Sequence, residues 1–507
     1  MNGKLHILVI LLLGIMLLAW APAPPAGAQE SADTVDSVTP ESPADENPAA
    51  EGPASESPAS ESPAAGAAEV ESATGETPGP EKTGLFDSLK ISGTLNSSYQ
   101  FRSYDGQDDS DIYEYFSLRL RDIVKDRVDG AFSMYWHEDL DGGSTIQGSE
   151  WYDPFLDIDQ AYGTRFRFYT GYLDFKGLGF DDSRLRVGRQ FLEDIDYAHF
   201  DGASYRFSPL DPLEVTLFGG RPVTFYSSSH GDAFYGADVR YRFTPQTKVG
   251  ARYYRYDAEP YNDDLAAVEV WHMFTPELQT HAEFSLLDAD PYLFQNDWYF
   301  RWDEYDFDAV AQVVRLFSEI SDQTINFNPY FPLLHGYEPF TYGSTLFTKG
   351  LNEYVSLNAG FDFRVTDGGL DPVAEATNRD YVRGTLGAEF YPVKQVTLSV
   401  NGEFWSVDSG DEFTGVTGEV EYKPCKGWTL AAGAEYGEYV QEYMDEFLLF
   451  FGQEKVFRIT PDVVTYYARV KWQPTGKVYT AARFEVEDNS LDEDNWYAFQ
   501  LQVGVNF

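Results

Sequence analysis

Along residues 85–507 apolar and polar side chains alternate with a period of two, and the alternation restarts after each of a series of turns. In an extended chain this places successive side chains on opposite faces, so the pattern predicts β-strands with one apolar and one polar face. The last segment shows it most plainly. Tyr497, Phe499, Leu501, Val503, Val505 and Phe507 fall on one face, and Ala498, Gln500, Gln502, Gly504 and Asn506 on the other. Val396, Leu398, Val400 and Phe404 oppose Thr397, Ser399, Asn401 and Glu403 in the same way. So do Val464, Tyr466, Ala468, Val470 and Trp472 against Thr465, Tyr467, Arg469 and Lys471.

The connections are of two kinds. Short ones carry proline, as in Thr244-Pro245-Gln246-Thr247, Thr275-Pro276-Glu277 and Gln473-Pro474-Thr475-Gly476. Proline lacks the N–H that a strand ladder needs, so each marks a strand end. Between them fall longer polar, acidic segments: 103–111, 138–164, 366–379 and 439–462. Short turns at one end and long loops at the other predict an all-β fold, a transmembrane antiparallel up-and-down β-barrel. It should have about 22 strands (range roughly 16–26), each spanning a bilayer with roughly ten residues. Segment 296–350 leaves open whether 298–317 is one long strand or two. A soluble sandwich or propeller would alternate too, but no repeat of about 40 residues occurs. Aromatic residues also gather near the turns (Tyr391, Tyr422, Trp428, Trp472, Tyr479 and Trp496), as in the interfacial girdles of membrane barrels.

Two zones precede the strands. Residues 1–28 read as a secretory signal: Lys4, an apolar run over 5–20, and Ala26-Gly27-Ala28 as a small-x-small cleavage site before Gln29. A retained anchor helix is the other reading, against which Pro22, Pro24 and Pro25 speak. Residues 29–84 are Pro-, Ala-, Ser- and Glu-rich, and thirteen acids against one lysine give them −12. With few large apolar side chains this zone cannot offset its ordering entropy, and is expected to be a disordered, self-repelling periplasmic linker. It could reach a periplasmic partner or be a solvated tail. The barrel zone, 85–507, carries −36 of the total −47.

Composition narrows the function. With 36 basic against 83 acidic side chains, the chain lacks the basic face that nucleic acid requires. A single Cys, Cys425, excludes a disulfide framework and Cys-rich metal sites, and no haem-attachment motif occurs. If the apolar face meets lipid, the opposite face lines the lumen. The strand phase places Arg119, Arg121, Arg165, Arg167, Arg184, Arg186, Arg206, Arg240, Arg242 and Arg252 there as a basic wall in the first half. It places Asp362, Glu389, Glu403, Glu419, Glu421, Glu435, Glu485 and Glu487 there as an acidic wall in the second, interrupted by Arg364, Arg469, Lys471 and Arg483. Such charges set which solutes pass, and they also pair to stiffen the interior. Tyr172, Asp174 and Lys176 are out of phase with Arg165 and Arg167, which predicts a bulge near Gly171. Arg189 falls on the lipid phase, near a loop or headgroup.

The strands ending in Gly504-Val505-Asn506-Phe507 resemble Gram-negative outer-membrane β-barrels, and the resemblance implies that Phe507 is the signal read by the barrel-assembly machinery. Leu185-Arg186-Val187-Gly188-Arg189-Gln190, then Phe200-Asp201-Gly202-Ala203, then Leu217-Phe218-Gly219-Gly220, resembles substrate-specific porins and alginate-export-type barrels. These pieces cover under a tenth of the barrel. The expected function is an outer-membrane porin, a water-filled channel for passive diffusion of ions and small hydrophilic solutes. It would work without turnover, cofactor or metal, in contact with outer-membrane lipid and lipopolysaccharide. The alternative is a β-barrel sheath around a separate multihaem cytochrome in an electron-transfer conduit, suggested by the wide barrel and long linker. The acidic run 105–111 is a candidate hard-cation loop without EF-hand spacing. His137-Glu138-Asp139 reads as a solvated rim rather than a catalytic set, since no nucleophile and base occur together.

Overall fold

The computed structural model describes residues 88–104, 106–140, 166–192, 198–223, 232–258, 261–318, 338–367, 379–408, 410–444, 456–491 and 495–507. The signal and linker expected over 1–84, and Arg165, lie outside the described residues.

Aromatic and β-branched residues alternating with polar ones favour the pleated chain, and strands follow one another throughout. They are β1 (Lys90–Tyr104), β2 (Gln107–Val124), β3 (Val128–Asp139), β4 (Phe166–Lys176), β5 (Arg184–Leu192), β6 (Ala198–Leu210), β7 (Leu213–Pro222) and β8 (Ala233–Thr244). Then come β9 (Thr247–Ala258), β10 (Tyr261–Thr275), β11 (Leu278–Leu287), β12 (Asp290–Trp302), β13 (Phe307–Leu316), β14 (Phe340–Asn352), β15 (Val355–Thr366) and β16 (Tyr381–Val393). The last are β17 (Val396–Val407), β18 (Glu412–Tyr422), β19 (Trp428–Met444), β20 (Val456–Ile459), β21 (Asp462–Thr475), β22 (Val478–Asn489) and β23 (Trp496–Asn506). β19 pairs with β20 at one end and with β21 along the rest. Pro461 breaks the ladder between these two, so they form a single stave. The barrel therefore has 22 staves, all antiparallel. Residues 298–317 resolve into two strands, β12 and β13, reversed by the short 3-10 turn Asp303–Tyr305 and by Asp306 in the left-handed region at φ 46°.

Pairing of β1 with β23 closes the sheet, from Thr94 opposite Asn506 to Ser103 opposite Tyr497. Phe507 completes the seam: its N–H donates to the Gly93 carbonyl and its own carbonyl accepts from the Gly93 N–H, both at 3.0 Å. Its ring lies over Gly93, where a Cβ would come within 2.6 Å of Phe507 Cζ.

At the end that holds Phe507 the connections are short, such as 211–212, 245–246, 353–354 and 394–395; most long connections lie at the other end. Segment 103–111, expected as a loop, is instead a hairpin. Gly106, at φ 71°, turns the chain and lets β2 start at Gln107. Side chains on one face of the sheet are apolar yet uncovered, among them Val382, Leu386 and Phe390 on β16, Val400 and Phe404 on β17, and Val416 and Val420 on β18. Tyr422, Trp428 and Trp472 extend this outer face to the short-turn end, with the two indoles 5.9 Å apart. The other three expected girdle residues face inward, and Tyr479 and Tyr391 there hydrogen-bond Asn96 and Glu389.

Directly opposed residues of an antiparallel pair share a face, so the register separates outside from lumen. Between Ser133 and Met134 of β3 the pairing skips from Thr170 to Phe168, leaving Tyr169 as the extra residue of a bulge two positions from Gly171. Gly188 packs against that region with φ 129°, and a Cβ there would lie 2.2 Å from the Gly171 carbonyl oxygen. Replacing Gly188 by alanine is expected to cost about 2 kcal/mol. Urea unfolding in detergent micelles, followed by tryptophan fluorescence, should show a lower midpoint; an unchanged midpoint would mean that β4 and β5 separate freely.

Candidate functional site

The lumen face is the candidate site, and the register assigns it residue by residue. Asn401 lies opposite Thr417, Thr417 opposite Glu435, Glu435 opposite Thr465, Thr465 opposite Glu487 and Glu487 opposite Trp496. Glu419 and Glu421 share this face on β18, as do Glu403 on β17, Glu389 on β16, Asp362 on β15 and Glu485 on β22. On the other side Arg119 and Arg121 lie opposite Ser92 and Lys90, and Arg167 opposite Tyr135. Arg184 lies opposite Arg206, Arg240 opposite Glu214, and Arg252 opposite Asp238. Arg242 follows Arg240 in phase on β8.

The expected separation into one basic and one acidic wall is corrected by the ion pairs. Arg186 grips Asp174 through Nε and Nη2 at 2.8 and 3.0 Å and stacks over Tyr172 at 3.7 Å. Arg206 meets Glu214 at 2.7 Å, and Arg252 donates to Glu283. Arg240 lies between Asp238 and Glu269 at 3.0 and 3.1 Å, with all three almost wholly buried. On the acidic side Glu403 meets Arg383 at 2.7 Å, Glu419 meets Arg469 at 2.7 Å, and Glu421 meets Lys423 at 2.7 Å. Glu485 pairs with Arg483. The cause is desolvation: a buried charge is costly unless an opposite charge and hydrogen bonds meet it within its own neighbourhood. Strands one or two places away, with about 5 Å between neighbours, supply that partner far more readily than the far wall does.

Asp174, Asp238, Glu269, Glu283 and Asp297 are thus lumen residues that the charge reading passed over. Their signal was available, because Asp238 is in phase with Arg240 and Glu283 is out of phase with Phe284. A further set had no such signal. Phe200, Phe218, Phe234 and Tyr254 are on the lumen phase of their strands and fully or nearly buried, with Phe234 5.5 Å from Phe200, 5.3 Å from Phe218 and 5.6 Å from Tyr254. Towards the long-loop end, the lumen side of β6 to β9 is therefore a packed apolar wall rather than a wet one.

The acidic run 105–111 and His137 meet in one network. Arg102 donates through Nε to Asp109 at 2.8 Å and through Nη2 to Asp111 at 2.9 Å. His137 Nε2 lies 2.7 Å from the other Asp111 oxygen, and its ring stacks on Tyr113 at 4.5 Å. Arg102 thus holds the two carboxylates that a loosely bound cation was expected to share with solvent, and His137 is a buried wall residue rather than a solvated rim. Asp109, Asp111 and Asp139, and separately Glu269, His281 and Glu283, bring ligand atoms within 4.8 Å of one another. Arg102 in the first set, and Arg240 and Arg252 in the second, already neutralise carboxylates there.

Arg189 faces outward near the long-loop end, as its phase implied. Asp201 holds it in a fork, with both bonds at 2.7 Å. Arg315 with Asp367 repeats the fork on β13, and on β9 Arg255 bonds Asp264 through Nη1 alone, at 3.0 Å, while the Tyr253 hydroxyl donates to the other oxygen. Past the end of β15, the Arg315 hydrogen bond holds the Asp367 carboxyl below the usual carboxylate range.

No protein-family model matches the chain, and no curated protein does. Among solved structures it is similar to OpdK of Pseudomonas aeruginosa with vanillate, at 10% identity and TM-score 0.37 over 84% of this chain and 100% of that one. A BenF-like porin from Pseudomonas fluorescens Pf-5 aligns at 10% identity and TM-score 0.43, covering 84% and 100%. OpdQ of Pseudomonas aeruginosa aligns at 10% and 0.38, covering 83% and 99%. Likenesses this remote carry no argument about what passes through the barrel.

The Arg102 network yields a stability test. Arg102→Ala takes the cation from buried Asp109 and leaves Asp111 with His137 alone, and is expected to cost about 3–5 kcal/mol. Adding Asp109→Asn to Arg102→Ala should recover part of that loss in the same urea unfolding measurement. No recovery would show that the charge on Asp109 is not what Arg102 balances.

Proposed function

We propose that the chain is an outer-membrane porin. The observation that carries this reading is a closed barrel, apolar outside and polar inside. A lipid core leaves no water for unpaired backbone groups, and a closed barrel leaves none unpaired along its staves. An apolar outer face that is largely exposed among the described residues, ending in Trp and Tyr side chains, suits a bilayer and is out of place in water. A ring of 22 strands encloses more space than side chains fill, and the exposed Arg119, Arg121 and Arg242 keep charge in that space. The channel conducts ions and small hydrophilic solutes by diffusion, without turnover. Its partners in this reading are membrane lipid and lipopolysaccharide against the outer face, with Phe507 presented to the assembly machinery.

Purified protein in planar bilayers is expected to give stepwise, salt-dependent conductance. Reversal potential in a salt gradient reports ion preference. Glu419→Lys combined with Glu421→Lys should move it towards anions, because the pair lies on the lumen face next to Arg469. A bilayer that stays closed at every voltage refutes the channel, and an unmoved reversal potential refutes the role of these two glutamates.

A further inference from the structure

The paired charges that neutralise each wall sideways leave an imbalance along the barrel axis. All ten lysines among the described residues lie towards the short-turn end. Lys90 opens β1, Lys176 closes β4 and Lys248 is the second residue of β9; in the turns of that end Lys394, Lys426 and Lys477 are offset by acids such as Asp126, Asp181, Asp211, Glu277 and Glu353. Lumen-phase residues within five positions of that end comprise eleven Lys and Arg against seven Asp and Glu. The same count at the long-loop end gives four against nine, with Asp109, Asp111, Asp263, Asp362 and Glu487 among the acids. On the lumen face of the strands the excess is thus positive near one mouth and negative near the other.

From this we infer that the channel rectifies ion current: it conducts better when the long-loop side is positive than when it is negative. The inference rests on the channel reading above. An acidic mouth gathers cations and a basic mouth gathers anions. When the long-loop side is positive, cations enter through the mouth that admits them, and anions enter through the opposite mouth, which admits anions. Both carriers then accumulate in the lumen. Reversing the voltage asks each mouth to supply the ion it repels, so the middle of the channel is depleted. No moving part is needed.

Screening sets where the effect is visible. The Debye length is about 10 Å at 0.1 M salt and about 3 Å at 1 M. Wall charges therefore govern a wide lumen only in dilute salt. The expected ratio of currents at equal and opposite voltages is on the order of twofold at 0.1 M and near one at 1 M.

The test is single-channel recording with the orientation known. Cys425, exposed in the turn between β18 and β19, marks the short-turn side, so a membrane-impermeant thiol reagent applied to one face reports which way the barrel points. The larger current at 0.1 M with the long-loop side positive supports the inference. Equal currents, or a larger current of the opposite polarity, overturn it and leave the channel standing; a bilayer that never conducts overturns the channel and rectification together. Lys90→Glu, Lys248→Glu and Lys471→Glu in one variant make the excess negative at both mouths. That variant should still conduct at 1 M, which shows that it has folded, and should lose the asymmetry at 0.1 M. Retained asymmetry overturns the assignment to these charges.

Discussion

A sheet of antiparallel strands is stable against an apolar solvent only if it has no open edge, because an unpaired N–H or C=O there has nothing to bond. In this chain that condition is met at one seam, where β1 meets β23 more than 380 residues away in sequence. Ten residue pairs and the two bonds between Gly93 and Phe507 close it. Tyr479 then reaches across β23 to Asn96, and Gln500 to Ser98, so side chains of the last two strands lock onto the first. Every other feature follows from the seam. Closure fixes which face is inside, and the inside face then sets the charge that solutes meet.

Inside, desolvation shapes the wall. Arginine is suited to it, since its fork can meet two acceptors at once, as Arg102 meets Asp109 and Asp111 and Arg240 meets Asp238 and Glu269. The partners come from the same strand, an adjoining strand or the next but one, as when Arg240 on β8 reaches across β9 to Glu269 on β10, so the pairs run around the circumference. Pairing of this kind removes the sideways field that opposed walls would have made. It leaves the field along the axis, because lysines and acids are distributed unequally between the two mouths.

The two faces also differ in how they use aromatic residues. Outside, Trp428 and Trp472 stand near the short-turn end, where an indole can bury its ring in lipid and turn its N–H towards water. Inside, Tyr113 stacks with both Tyr135 and His137, and Arg167 sits 5.5 Å from the Tyr135 ring. The same residue types therefore serve a solvent boundary on one face and a rigid wall on the other.

Strand number, the inward phase of nearly every charged position, and the bulge near Gly171 were legible in the sequence, because a period of two is a local property that each strand states for itself. The aromatics Tyr391, Tyr479 and Trp496 were misread, since closeness to a turn does not say which face a side chain takes. The hairpin over 103–111 was hidden because acidic composition looks the same in a loop as in a strand end that Arg102 neutralises. Nor could phase alone foresee the packed Phe200–Phe218–Phe234–Tyr254 wall, which depends on strands β6, β7, β8 and β9 being brought side by side. By itself, then, the sequence determined the strands and the side of the sheet on which each residue stands. Which acid meets which arginine, and which mouth each charge occupies, was decided by tertiary structure, because pairing distance and height in the barrel depend on register between strands rather than on any one of them.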